Sequence, residues 1–247
     1  MKILVCLSKT PDTTAKVAFK NGNTQYEDAG VQWIINPYDE WYSLVRAVEL
    51  KEKDASVIIH LVSVGGAHYD AIIRKAFALG GDEAYRINAD SNDSYYVAAQ
   101  IAELAKTNQY DLIFTGKETI DYNSSSVGAG IAELLDLPYV SLATKFELAG
   151  TTATVTSEIE GGEETVEVTL PLVVSCAKGV AEQRIPNMRG IMAAKNKPLK
   201  VVEPQAIDAL TAVVSYELPP AKAGVKLISA DNVAELARLL HEEAKVI

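Results

Sequence analysis

The chain is poor in the residues that usually announce chemistry. Its 247 residues include 2 cysteines and 3 histidines, and no cluster of Cys, His and carboxylates has metal-ligand spacing. Cys6 and Cys176 both lie inside apolar runs, which reads as two buried free thiols in a reducing compartment. His60 sits in the apolar run Val57-Ile58-Ile59-His60-Leu61, the setting of a hydrogen-bonded core or edge histidine, while His68 and His241 stand alone. None occupies a motif that would activate a serine. Phosphate motifs are lacking too: there is no Walker A pattern, and Gly128-Ala129-Gly130 has no third glycine to complete a dinucleotide fingerprint. No apolar run approaches the ~20 residues that span a bilayer. The amino terminus opens on a strand pattern without the long apolar segment of a secretory signal, so the expected location is a bacterial cytoplasm, or the mitochondrial matrix if the chain is eukaryotic. Positive charge is in deficit, with 23 Lys and Arg against 33 Asp and Glu and a net charge of −10. That balance argues against nucleic-acid binding, which needs a basic face.

What is present is a globular composition, 48% hydrophobic and 23% charged, with room for one or two domains. Short β-rich runs at 2–7, 56–64, 84–87 and 112–115 alternate with helical patterns. One stripe is Trp41, Leu44, Val45 and Val48; another is Ile72, Ile73, Ala76 and Leu79. Asn36-Pro37 offers a cap followed by a proline at the first helical position, with Asp39 and Glu40 on the positive end of the dipole. Two more helices are expected at about 94–106 and 126–135. The pattern predicts an α/β fold with a doubly wound, mostly parallel sheet. Residues 143–176 predict an antiparallel hairpin with turns at Ala149-Gly150 and Gly161-Gly162. No clear period runs from 179 to 204. A linker with Pro219-Pro220 then leads to a terminal helix carrying Val233, Leu236, Ala237, Leu240 and Ala244 on one face. The expected division is an α/β body at 1–204 and a linker and C-terminal arm at 205–247.

In such a sheet a small molecule belongs outside the carboxyl ends of the strands, beside the loops after Leu7, Val64 and Thr115. The loop after Thr115 is polar and small and leads into a helix: Gly116, Lys117, Asp121, Tyr122, Asn123, Ser124, Ser125, Ser126 and Val127 lie along it. Backbone N–H groups and hydroxyls at a helix start can cradle a phosphate, and a serine-rich start can equally be a capping run. A second feature is the stretch 184–200, which holds Arg184, Arg189, Lys195, Lys197 and Lys200 without an acidic residue. It reads either as a solvated loop or as a docking surface, with Ile185, Met188, Ile191 and Met192 as apolar anchors or as half-buried packing.

These residues resemble, in order along 1–204, the electron transfer flavoprotein β subunit and the related FixA proteins. The resemblance is carried by the opening Ile3-Leu4-Val5-Cys6-Leu7-Ser8-Lys9-Thr10-Pro11-Asp12-Thr13, by Asn36-Pro37-Tyr38-Asp39-Glu40, and by Ala78-Leu79-Gly80-Gly81-Asp82. It continues through 116–121, Ile159-Glu160-Gly161-Gly162-Glu163-Glu164, Leu170-Pro171-Leu172 and Ile191-Met192-Ala193-Ala194-Lys195-Asn196-Lys197-Pro198. It implies a fold of the adenine nucleotide alpha hydrolase type, in an electron carrier and not an enzyme. It also implies AMP in this chain, contacted by Cys6, Asn36, Pro37, Tyr38, Asp39, Val64 and 116–127, and FAD in a partner α subunit. Pro11, Asp12 and Thr13 would face that flavin. Arg184, Met188, Arg189, Ile191, Met192, Lys195 and Lys197 would dock acyl-CoA or other flavin dehydrogenases, with electrons passing on to a quinone oxidoreductase. The terminal helix would wrap the partner. Tyr122, Asn123 and Ser126 depart from the acidic residue and glutamine common in that loop, and Ser157 and Ala193 replace basic residues. The alternatives are a second FAD in place of AMP, as in bifurcating relatives, and a standalone ATP- or AMP-binding regulator resembling universal stress proteins.

Overall fold

The computed structural model describes every residue except Tyr38 and Ala223. Its strands are β1 (Lys2–Cys6), β2 (Lys9–Pro11), β3 (Phe19–Lys20), β4 (Gln25–Tyr26), β5 (Trp33–Ile35), β6 (Ile58–Val64), β7 (Glu83–Ile87) and β8 (Leu112–Gly116). β9 (Tyr139–Ala149), β10 (Thr152–Ile159), β11 (Gly162–Thr169), β12 (Leu172–Cys176) and β13 (Leu199–Val202) follow. The helices are α1 (Asp39–Lys53), α2 (Asp70–Leu79), α3 (Ser94–Asn108), α4 (Val127–Leu135), α5 (Met188–Ala194) and α6 (Val233–Arg238), the last continued by π-helical turns over Leu239–Ala244.

Nine strands form one sheet in the order β11-β10-β9-β12-β8-β1-β6-β7-β13. All its pairs from β9 to β13 are parallel, and β9, β10 and β11 are antiparallel. Period-two alternation divides β1 between two cores. Ile3, Val5 and Leu7 join Leu44, Leu50, Ile73 and Phe77 of α1 and α2 on one face. Leu4 and Cys6 join Ile101 of α3 and Ile131 of α4 on the other. Winding runs outward from β1 through β6 to β7 and then restarts on the far side of β1 with β8. The topological switch point therefore lies between β1 and β8, and the crevice outside their carboxyl ends is the expected ligand position.

The doubly wound sheet is as the sequence predicts, but the antiparallel part is larger. Instead of one hairpin there is a three-stranded meander, after which Leu172–Cys176 returns beside β8, parallel to it. The stretch without a clear period contains α5 and β13, each too short to display a repeat. The described residues contain no helix long and apolar enough to cross a membrane.

Candidate functional site

A cleft of about 1090 Å³ opens at the switch point. Cys6 and Val64 form its floor at the ends of β1 and β6, and the loop after β8 forms one wall with Gly116, Lys117, Asp121, Tyr122, Ser124, Ser125, Ser126 and Val127. Pro11, Asp12 and Thr13 lie on the rim, where Asp12 accepts hydrogen bonds from the Thr14 N–H at 2.9 Å and the Thr14 hydroxyl at 2.6 Å.

The helix caps differ at the serine-rich wall. Asp93 caps α3 by accepting from the Tyr96 N–H, and Asn187 caps α5 by accepting from the Gly190 N–H. Ser126, at the same position of α4, makes no side-chain capping bond. The first-turn N–H groups of α4 thus carry no side-chain cap, and Ser124 and Ser126 line the cleft beside them, while the Ser125 hydroxyl donates to the Glu118 carboxylate at 3.1 Å; the helix dipole favours an anion at this end. Thr115 Oγ1 is buried without a partner at the head of this loop. A Cβ on Gly128 would come within 2.7 Å of that oxygen, and one on Gly116 within 2.9 Å of Glu40 Cγ. The site thus needs glycine at both positions for close approach.

The residues before α1 act from behind the wall. Asn36 is fully buried; its amide donates to the Glu118 carbonyl at 2.7 Å and its oxygen accepts from the Ile120 N–H at 3.1 Å. Asn36 and Asp39, which accepts a backbone hydrogen bond from Glu118, therefore hold the loop in place; neither they nor Pro37 line the cleft, while Tyr38 lies outside the described residues. Asn123 also stays out of the lining; it turns the loop at φ 50° and donates its N–H to the Thr119 carbonyl. Burial raises the Asp39 carboxyl to about 6, opposed by the Lys117 charge. Glu40 does line the cleft, and burial raises it to about 8 against hydrogen bonds from the Ser8 N–H and hydroxyl. Lys9 Nζ rests 3.8 Å from the centre of the Trp33 ring, and burial lowers its pKa. Burial pushes the Cys6 thiol up, so this cysteine stays protonated.

A second surface is built around α5. Arg184 is fixed to the body: its guanidinium reaches Glu52 at 2.7 Å and Glu49 at 3.4 Å on α1, and its carbonyl accepts from Trp41 Nε1. Lys197 turns inward, donating to the carbonyls of Phe77, Gly80 and Gly81 at the end of α2. It is a fastener, which corrects its expected place on the displayed surface. Arg74 adds bonds to the carbonyls of Ala194 and Lys197. Between these anchors Ile185 is 86%, Met188 73% and Met192 66% exposed, with Ile191, Arg189 and Lys195 exposed beside them. They are not half-buried packing.

A family model described as "Electron transfer flavoprotein domain" matches residues 23–207. The electron transfer flavoprotein subunit beta of Bacillus subtilis is 38% identical, with 100% of both chains covered. The chain belongs to the electron transfer flavoprotein family. A protein of the same name from Syntrophomonas wolfei is 39% identical over 100% of this chain and 98% of its own. The caffeyl-CoA reductase-Etf complex subunit CarD of Acetobacterium woodii is 30% identical over 99% of this chain and 98% of its own. On this electron transfer flavoprotein fold, sequence reasoning missed the Asp90-Ser91-Asn92-Asp93-Ser94 wall and the lining residues Ser8, Lys9, Trp33, Glu40 and Tyr69. The first of these was open to the crevice argument, because it follows the parallel strand β7 just as the chosen loops follow β1, β6 and β8. Thr211 and Tyr216, also in the lining, carry no local signal.

Proposed function

We propose that this chain is the β subunit of a heterodimeric electron transfer flavoprotein, with AMP as a structural ligand in the switch-point cleft and FAD held by the α subunit. The observation that carries the nucleotide part is the start of α4, where Ser126 leaves the first-turn N–H groups uncapped beside Ser124 and the unpartnered Thr115 hydroxyl. These groups would take the phosphate, while Cys6 and Val64 would lie beneath the nucleoside and Asn36 and Asp39 would keep the loop in register. A bound nucleotide stabilises the fold by RT ln(1 + [L]/Kd), about 2.7 kcal/mol at a hundred times Kd.

The flavin would supply reversible electron storage, and this chain would make and break no bonds. Its residues would position: Pro11, Asp12 and Thr13 on the cleft rim toward the partner's flavin, and Met188 and Met192 on α5, with Ile185 before it, as the apolar anchor for a flavin dehydrogenase such as an acyl-CoA dehydrogenase. Onward transfer would reach a quinone oxidoreductase. The terminal helix leaves Val233 and Leu236 exposed, as an arm that packs on another chain would. The test is co-expression with the α subunit. Co-purification of a flavin-bearing pair that is reduced by substrate and an acyl-CoA dehydrogenase supports the reading, and failure to associate with any flavin-bearing subunit contradicts it.

A further inference from the structure

The segment after β13 has no regular structure until α6, yet its first part is tied across the cleft at successive points. The Gln100 side chain and the Gln205 backbone exchange two hydrogen bonds of 2.9 Å. Thr211 donates its N–H at 2.9 Å and its hydroxyl at 2.6 Å to the buried Asp93, the residue that also caps α3. Tyr216 donates its N–H to the Asn23 carbonyl at 2.7 Å, and its ring lies on Phe19 with centroids 4.8 Å apart and planes 12° apart. Its hydroxyl is 3.2 Å from that of Tyr122 in the ligand-facing loop. Thr211 and Tyr216 both face the cleft. The described residues from 217 to 227 are exposed, with Leu227 at 89%.

We propose that residues 211–216 form the closing wall of the ligand cleft, with Tyr216 as a positioning residue latched to Tyr122, so that the bound nucleotide leaves only when this wall opens. The proposal rests on the reading of the cleft as a nucleotide site. A ligand enclosed on this side cannot depart until the Thr211–Asp93 and Tyr216–Tyr122 contacts break, so those contacts contribute to the barrier for release. Thr211 and Tyr216 thereby belong to the site, although they come from the part of the chain that the sequence assigns to the arm.

The test uses the full chain co-purified with its partner, loaded with labelled AMP and chased with excess unlabelled AMP. Removing a hydrogen bond to a carboxylate in Thr211→Val is expected to speed release about tenfold. Tyr216→Ala, which loses ring stacking as well, is expected to speed it about thirtyfold. Tyr216→Phe keeps the ring on Phe19 and loses only the hydroxyl; it should match Tyr122→Phe at about threefold, and the double variant should be no faster than either alone. Melting temperature without nucleotide separates these effects from a purely structural one, since Tyr216→Phe should leave it unchanged. AMP bound normally but released at the wild-type rate by all these variants would overturn the inference alone. Wild-type protein that takes up no AMP would overturn the nucleotide reading and the inference with it.

Discussion

The cleft and the α5 surface invert each other's construction. In the cleft a polar loop is displayed over an apolar floor, and buried polar residues hold its walls: Asn36, behind the lining, grips 118–120, and Glu40, within it, grips Ser8. At α5 the displayed groups are apolar, and the polar ones are the fasteners: Arg184 on α1, Lys197 on the end of α2, Asn187 on the helix start. Burying a polar side chain is costly unless its bonds are satisfied, so the cleft's supports are paired and hard to change. Exposed methionine and isoleucine cost the isolated chain little and gain energy only when a partner covers them. On the proposed function, one surface fixes a small ligand in a single geometry and the other waits for a partner.

The contrast can be broken from either side, and the largest effect is expected at Asn36. Asn36→Ala orphans the Glu118 carbonyl and the Ile120 N–H, and should lower the unfolding free energy by about 2–4 kcal/mol, measured in denaturant, and AMP affinity at least tenfold. A wild-type-like titration would mean that the loop holds itself.

Next comes the pH dependence of Glu40. Its carboxyl titrates at about 8 in the fold against an ordinary 4.5. Between those values the folded chain holds a proton that the unfolded chain has lost, so this group lowers stability as pH rises from 4.5 toward 8. Above that its contribution is flat. Asp39, raised to about 6, acts in the same direction over a narrower window. Glu40→Gln keeps the neutral shape, and its stability advantage over the wild type should therefore grow with pH by at most about 1.4 kcal/mol per unit and vanish below pH 4.5. Parallel stability curves for the two proteins would show that Glu40 is charged in the fold throughout.

Gly190→Ala probes the seat of α5. Its Cβ would meet the Ala78 carbonyl oxygen at 2.2 Å, so the helix must lift. A loss of about 1–3 kcal/mol is expected, with dehydrogenase docking weakened while AMP binding is unaffected. The smallest stability effect belongs to Met188→Ala, within about 0.5 kcal/mol because the side chain is exposed, combined with a loss of dehydrogenase affinity of tenfold or more. A change in stability without a change in docking would reverse the assignment.

The sequence carried the parallel core because β1, β6 and β8 are apolar and the crossover helices are long enough to show a stripe. The polar loop after β8 was legible as a wall of the crevice because it joins a buried strand to a helix start. What it hid is what long-range contact creates. β2 to β5 are runs of two or three residues, below any readable period. Lys197 looks like one more cation in a basic stretch until α2 ends beside it. Thr211 and Tyr216 stand more than ninety positions from Asp93 and Tyr122, and nothing local marks them as belonging to the cleft. Net charge was the least informative feature, since −10 conceals a basic stretch whose members divide between fasteners and solvent.

The central claim is that the switch-point cleft holds AMP while the redox flavin belongs to the partner. Denaturing the purified complex and identifying the released nucleotides by mass spectrometry tests it most directly. One AMP and one FAD per pair of subunits is the result expected; two FAD, or ATP in place of AMP, would contradict it.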